Sequence, residues 1–512
     1  MNATVRDLVL GRAKSEAARQ ALWIAGNFYT YQDLADFAIV MKTTLGDLDG
    51  ATIAIVSGRP AGSYFSIFGG IVNGACYVPI NSQWPAERIQ RILQLARPDF
   101  LLLDEEAARS ELGEKLADQQ ACPAYIVAVT PQQKTLTPTP TPAGPKRAST
   151  RPGPDGHGRG KGELLYVMFT SGSTGVPKGV PIGVANVTHY VVEMTKQYRF
   201  DENDRFIQSV ELTFDLSVHD MLLCWANGGM LVVVPTGNAP MAPRFIRQLG
   251  VTRCLSVPSA AAQAKSLGLL KAGSMPTLKS SFFCGEALPT SLAESWAAAA
   301  PASEIHNIYG PTEATIAFST FNWKENRSNP YSVVPLGLPI GAQEMRVDES
   351  GELLLSGAQV FAGYVKDESR KSGRPVLVEL DGRTWYRTGD LASFDKNYGF
   401  IFKGRLDSQV KVRGYRVEIG EVESALRTCA GTELIAVLPT KQVGPSTYDD
   451  LVGIVCKANR TPEEIIEGMK KILPAYMVPE RIVELHEMPK NSNDKIDYVT
   501  LARTYAQAGK AA

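Results

Sequence analysis

The sequence predicts an α/β protein: a large N-terminal domain of parallel-rich sheets flanked by helices with a small β-barrel-like region, then a small α+β C-terminal domain. Three observations lead there. The chain has 512 residues, more than one hydrophobic core serves, so at least two domains are expected. Short apolar runs alternate with helix-like stretches along most of its length. The pattern then becomes hairpin-like and finally switches to a shorter mixed unit.

Taken in order, "DFLLL" (99–103) reads as a strand, a charged helical run follows near 104–118, and "AYIVAV" (124–129) reads as the next strand. "GMLVVVP", "TRCLSVP", "SSFFCG" and "EIHNIYG" are further strands, separated by helical stretches such as "AAAQAKSLGLLKA" and "TSLAESWAAAA". Short apolar strands with interposed helices imply parallel sheets covered on both faces. From about 333 to 403 glycine turns multiply, and "MRVDESGELLLSG" reads as a hairpin turning at Glu349, Ser350 and Gly351. The unit from 407 onward runs helix "GEVESALRT", strand "ELIAVLP", strand "LVGIVCK", helix "TPEEIIEGMKKIL". The expected domains are therefore 1–406 and 407–512. The segment 130–162, rich in Pro, Thr, Gly and basic residues, reads as an extended or disordered linker, with a contact surface as the other reading.

Composition narrows the function classes. The hydrophobic fraction is 44% and the charged fraction 21%, ordinary for a globular protein. Lys+Arg and Asp+Glu both count 53, and that balance lacks the basic footprint of a nucleic-acid partner. Seven scattered cysteines without a CxxC pair read as reduced thiols. The charged N-terminus is neither a signal peptide nor an anchor, and no window is apolar enough to span a bilayer. A cytoplasmic protein with no membrane partner is expected.

The stretch "TSGSTGVPKG" (170–179) follows the apolar run "LLYVMF". Gly172, Gly175 and Gly179 let backbone N–H groups approach an anion. Thr170, Ser171, Ser173 and Thr174 add hydroxyl donors, and Lys178 adds a cation. The order is not that of a Walker loop. A phosphate cradle and a mobile surface loop are the two readings.

That loop, with "NIYGPTEAT" (307–315), "YRTGDLASF" (386–394), "GRLDSQVKVRGYRVEIGEVE" (404–423), "LPAYMVP" (473–479) and "NSNDKIDY" (491–498), resembles the motifs of the adenylate-forming superfamily. This superfamily comprises amino-acid adenylation domains, acyl-CoA synthetases and luciferases. The resemblance runs in family order over nearly the whole chain and implies ATP and Mg²⁺ as cofactors. A carboxylate would attack the α-phosphate, so the site must supply cations and oriented dipoles where two anions meet. By the same resemblance Lys495 is the catalytic lysine, with Thr170 and Glu313 beside it, and Glu313 is the magnesium-associated carboxylate. Asp390 would bind the ribose hydroxyls, Tyr309 would stack on adenine, and Arg405 would contact the ribose or phosphates. Gly285, Glu286, Ala287, Asn307, Gly310 and Thr312 complete the implied nucleotide site. Asp407 falls at the family's hinge, about which the small domain rotates between adenylation and thioester formation. "KVRGYRVE" would face the incoming thiol in the second state.

Asp215 in "ELTFDLSVHDM" matches the carboxylate that amino-acid adenylation domains set against the substrate's α-ammonium group. Such a carboxylate beside an apolar pocket needs a cation, although F-D-x-S is also a helix-cap signal. The matching pocket walls would be Leu216, His219, Ala260, Phe282, Cys284, Ile308, Gly310, Ile316 and Ala317, with His219 the only titratable one. A small or medium neutral amino acid fits such walls. Local sequence looks closest to D-alanine–carrier protein ligases, in which a cysteine matched by Cys284 favours the D-enantiomer. Ala260 would enlarge the pocket, which suits a larger side chain or a ring such as proline; stand-alone prolyl- and glycyl-adenylating enzymes are similar in local sequence, so L-proline, glycine or another neutral amino acid of nonribosomal peptide or antibiotic biosynthesis is an alternative, and an acyl- or aryl-CoA synthetase a second. Filling one methylene gap is worth only about 1 kcal/mol. "ARTYAQAGKAA" closes the sequence without a G-x-D-S-L attachment motif, so the expected acceptor is a separate phosphopantetheinylated carrier protein, or coenzyme A.

Overall fold

Runs such as "TIAIVS" (Thr52–Ser57), buried at every position, form strands covered on both faces. The computed structural model of the chain describes residues 3–139, 163–172, 177–365, 375–407, 409–489 and 496–506, apart from 111–112, 114–115 and 117–121. It is a mixed α/β protein with two large parallel-rich sheets. The first has seven strands, ordered in space 134–138, 124–129, 100–104, 52–57, 76–81, 164–170 and 178–183. Its inner strands are parallel and its two edge strands antiparallel.

One edge strand corrects the sequence reading. Lys134–Pro138 belongs to the segment read as a linker, yet it pairs in register with Ala124–Val129. Leu136 is buried, and Lys134 forms an ion pair with Asp33 at 2.8 Å. The Thr-Leu-Thr alternation suits a half-buried edge, a signal that the flanking prolines masked. Residues 140–162 of that segment lie outside the described residues.

The second sheet has nine strands, with a parallel centre built from 20–24, 230–233, 205–208, 253–256, 280–283 and 304–309. The helix Leu216–Asn227 is buried at every position. It needs cover all round, which comes from this sheet and from the helices Val5–Ser15 and Val184–Tyr198. Its first turn opens at the ends of the parallel strands.

A five-stranded antiparallel sheet follows, built from 344–347, 352–356, 377–380, 383–395 and 399–405. Its first hairpin turns where the sequence predicts, with Gly351 at φ 84° and the Asp348 carboxylate accepting from the Ser350 and Glu352 N–H groups. The last sheet is mixed and contains Gln409–Val412, Tyr415–Glu418, Ile435–Gly444, Thr447–Cys456 and Arg481–Leu485. It is packed by its own apolar cluster, which includes Val412, Val422, Leu426 and Ile465. The chain passes from one sheet to the next between Arg405 and Gln409. Among the described residues no helix is long and apolar enough to cross a membrane.

Candidate active site

A cleft lies where the parallel strands end and the small domain docks. Open α/β sheets place ligands at the carboxyl ends of their strands, and the lining follows that rule. Thr170 and Ser171 come from the end of Leu164–Thr170, Cys284 to Ala287 follow Ser280–Phe283, and Asn307 to Thr312 end and follow Glu304–Tyr309. Asp215 and Leu216 arrive on the first turn of Leu216–Asn227. Asp390 and Arg405 come from the antiparallel sheet, and Lys411 and Arg416 from the first hairpin of the small domain.

Asp215 stands at the helix N-cap position but makes no capping bond. It is 6% exposed, and its Oδ2 has no hydrogen-bond partner among the described residues. Burial pushes its carboxyl up to about 6, partly offset by the Thr312 hydroxyl and the Lys411 ammonium. Its one unpartnered oxygen, in a cleft, can accept a ligand's cation.

The loop after Tyr309 is built under strain. Thr315 and Ile316 have φ of 58° and 69°, where β-branched residues rarely sit. A Cβ on Gly310 would stand 2.8 Å from the Ala317 Cα and 2.9 Å from the Ile316 carbonyl oxygen. Glycine is therefore what lets this loop fold back on the strand. Within the loop Glu313 is fully buried. Arg416 donates to both its oxygens, at 3.0 and 3.2 Å, and the Tyr364 hydroxyl donates at 2.7 Å. Burial would raise the Glu313 carboxyl, but the Arg416 guanidinium and these bonds hold it below its ordinary value.

The phosphate-loop candidates are engaged by the small domain. The Ser171 hydroxyl donates to the Arg416 carbonyl at 2.9 Å, and the Gly172 N–H donates to Glu421 at 3.1 Å. Glu421 also pairs with Arg88 at 2.7 Å, both side chains being nearly inaccessible. Lys178 sits over the Tyr364 ring, and Gly179 packs against Val365. At the opposite end Tyr309 donates to Asp390 at 2.5 Å, and Arg405 pairs with Asp390 and, through two bonds of 2.7 and 2.8 Å, with Asp407. Asp407 is thus tied back to the large domain at the crossing between sheets.

Residues 11–365 match the AMP-binding enzyme family. The chain belongs to that family. This adenylate-forming ligase is 28% identical over 446 residues to a D-alanine–D-alanyl carrier protein ligase of Staphylococcus aureus, covering 85% of this chain and 86% of the relative. It is similar to the Vibrio cholerae adenylation domain AlmE, solved with glycyl-adenosine-5'-phosphate, at 28% identity and TM-score 0.85, over 99% of this chain and 98% of that one. It also shares its fold with an NRPS protein containing adenylation and PCP domains, at 21% identity and TM-score 0.77, over 98% of this chain and 84% of that one.

The ligase's cleft takes in some of the expected wall residues directly. Leu216, Cys284, Ile308 and Gly310 line it, whereas His219, Ala260, Phe282, Ile316 and Ala317 do not. His219 lies in the core behind, hydrogen-bonded to Tyr190 at 2.6 Å and packed on Phe282, and burial pushes it down to about 3, so it stays neutral. Ala260 sits in the helix Pro258–Ser266, next to Ser259, whose N–H donates to the lining residue Glu286. Lys411, outside the matched wall positions, also lines the cleft, its ammonium pushed down by burial and by the Arg416 charge.

Of the nucleotide candidates, Thr170, Ser171, Gly285, Glu286, Ala287, Asn307, Tyr309, Gly310, Thr312, Asp390 and Arg405 come together around the cleft. Asn307 spends its amide on the Val334 and Pro335 carbonyls, which fixes the loop. Glu286 accepts from the Ser259 N–H at 2.6 Å and leaves its buried Oε1 without a partner among the described residues. Glu313 and Lys178 sit behind the lining. Lys495, Ser173, Thr174 and Gly175, and the unusual Asp494, lie outside the described residues. The residues that sequence reasoning did not assign are Lys411, Arg416 and Glu421; the "KVRGYRVEIGEVE" motif was the signal available for all three.

Adenylate-forming enzymes use ATP, and the chemistry of the lining suits an adenosine phosphate, with Asp390 and Arg405 at one end and cationic side chains along it. Among the described residues no three His, Cys, Asp or Glu side chains converge. A magnesium ion would find the single carboxylate of Glu313 and take its other oxygens from phosphates and water, its usual manner of binding.

Proposed function

We propose that this ligase activates a small or medium neutral amino acid as its aminoacyl adenylate and passes it to the pantetheine thiol of a separate carrier protein. The observation that carries the reading is the unpartnered, buried Asp215 oxygen in the cleft. It is the counter-charge an α-ammonium group needs, and a fatty or aryl acid offers it nothing. Leu216, Cys284 and Ile308 around it give an apolar wall suited to a small side chain. Two of the relatives at 28% identity are named for, or solved with, the smallest amino acids, D-alanine and glycine, which favours that size class.

In this reading the chain's own groups divide the work. Asp215 fixes the ammonium end of the substrate. Lys495 is the cation for the attacking carboxylate and the α-phosphate. Asp390 and Arg405 hold the ribose side, and Glu313 supports magnesium, which neutralises phosphate charge when bound. The hairpin Gln409–Glu418 faces the cleft, as expected when a thiol is to be admitted. The domains 1–406 and 407–512 would rotate about Asp407 between the two steps.

The test is ATP–pyrophosphate exchange with glycine, D- and L-alanine, L-proline, serine, threonine, valine and β-amino acids, beside fatty and aryl acids. The expected result is exchange with one or a few small amino acids, abolished in Lys495→Ala. Exchange with fatty or aryl acids alone would overturn the reading.

A further inference from the structure

We infer that Gln359 is a positioning residue for the amino end of the substrate, acting through the loop 312–317 that it holds against Asp215. This role rests on the amino-acid reading of Asp215. Gln359 is fully buried, in the turn after the strand Glu352–Ser356, and does not line the cleft. Its side-chain amide donates to three carbonyls of the loop, those of Ala314 at 3.3 Å, Thr315 at 3.2 Å and Ala317 at 2.8 Å. In return the Thr315 hydroxyl donates to the Gln359 carbonyl at 2.6 Å. The other end of the amide, Oε1, faces Nδ1 of His189 at 3.3 Å, on the helix Val184–Tyr198. Acceptors alone face one end of this amide, so that end is the NH2 group, the only part that can donate.

The loop needs such a hold because its own backbone resists the shape it takes. Thr315 and Ile316 stand side by side in the left-handed region, which β-branched residues disfavour. Two successive residues there turn their carbonyls out of any helix or strand ladder, and a buried carbonyl without a donor is costly. Gln359 supplies the donors. The loop so held presents two polar groups to Asp215. Burial raises the Asp215 carboxyl, and the Thr312 hydroxyl and the Ile316 N–H are among the groups that draw it back down. Their aim fixes the carboxylate that the substrate's ammonium must meet, and small misplacements of such a group are felt in binding.

The hold is divided between two parts of the loop. Glu313 is fixed without the Gln359 side chain: its carbonyl accepts from the Phe361 N–H at 2.8 Å, and its carboxylate from Arg416 and Tyr364. The Gln359 amide grips only residues after Glu313, from Ala314 to Ala317. At the nucleotide end Asp390 is held by Tyr309, and Arg405 by Asp407. Loss of the amide therefore loosens the amino-acid end and leaves the nucleotide end in place. A side chain that only filled space would not separate the two.

Gln359→Met keeps the length of the side chain and removes its donors, and it tests this on the full chain. In ATP–pyrophosphate exchange with the best amino acid of the panel, the amino-acid KM is expected to rise about ten-fold, the effect of misplacing one or two hydrogen bonds. The ATP KM is expected to stay within about two-fold of wild type. Thr315→Val, which removes only the hydroxyl bond to Gln359, is expected to raise the amino-acid KM about three-fold, and it decides the matter if Gln359→Met does not fold. Amide hydrogen exchange of 312–318 without ligand is expected to speed up about ten-fold in Gln359→Met and about three-fold in Thr315→Val. An unchanged amino-acid KM, equal rises in both KM values, or unchanged hydrogen exchange of the loop would overturn the inference. The hydrogen-exchange measurement needs no substrate. If no amino acid supports pyrophosphate exchange, the substrate reading falls, and hydrogen exchange still decides whether Gln359 holds the loop.

Discussion

Asp215→Asn is the substitution on which the substrate reading turns. The carboxylate is 6% exposed, one oxygen lacks a partner, and burial has raised its pKa to about 6. Removing one member of a desolvated ammonium–carboxylate pair costs about 2–5 kcal/mol. At 1.36 kcal/mol per decade, that is about 30- to 5000-fold in kcat/KM for the amino acid. Stability should move the other way. A carboxyl whose folded pKa is raised favours the fold while protonated, below about pH 4, and loses that contribution as pH rises to about 6. Above that, ionised Asp215 disfavours the ligand-free fold by up to about 3 kcal/mol, from a shift of about two units. The asparagine variant should therefore keep or raise the Tm at pH 7 while losing activity. The wild-type kcat/KM in pyrophosphate exchange should be about ten-fold lower at pH 5 than at its plateau, and that dependence should vanish in the variant. A variant with wild-type kcat/KM would refute the reasoning, as would equal exchange with the substrate's deamino analogue.

Gly310→Ala should lower both Tm and exchange activity, because its Cβ meets rigid backbone at 2.8 Å; overpacking of this kind costs about 1–3 kcal/mol, read by thermal unfolding. The Cys284 thiol, pushed up to about 12 chiefly by burial, should resist iodoacetamide at pH 8 in the native chain, which peptide mass mapping would check. Cys284→Ala should broaden the accepted side chain by one or two carbons, shifting the preference between alanine and larger amino acids by roughly ten-fold, measured in the exchange panel. Leu136→Ala should destabilise the chain by about 2 kcal/mol if Lys134–Pro138 is a packed edge strand, and a neutral result in denaturant melts would return that segment to a linker.

The sequence by itself determined the local and the ordered parts of this protein. Period and length predicted strands such as Ala124–Val129 and the helices after 419, because continuous apolar runs and helical spacing are written into neighbouring residues. The motif order identifies the family, and the match of Asp215 to the ammonium-binding carboxylate rests on its neighbours in the chain alone. Tertiary structure decided what depends on distant contacts and on side-chain direction. Thr135 and Leu136 read as a linker until Ala124–Val129 offered them a sheet edge. His219 matches a wall position, but its ring is hydrogen-bonded to Tyr190 in the core, a contact made between two helices across 29 positions. Arg416 reaches Glu313 across 103 positions and Arg88 reaches Glu421 across 333, distances at which no sequence period survives. Charge pairs of that kind join segments far apart in the chain, and each ion would be too costly to bury without its partner.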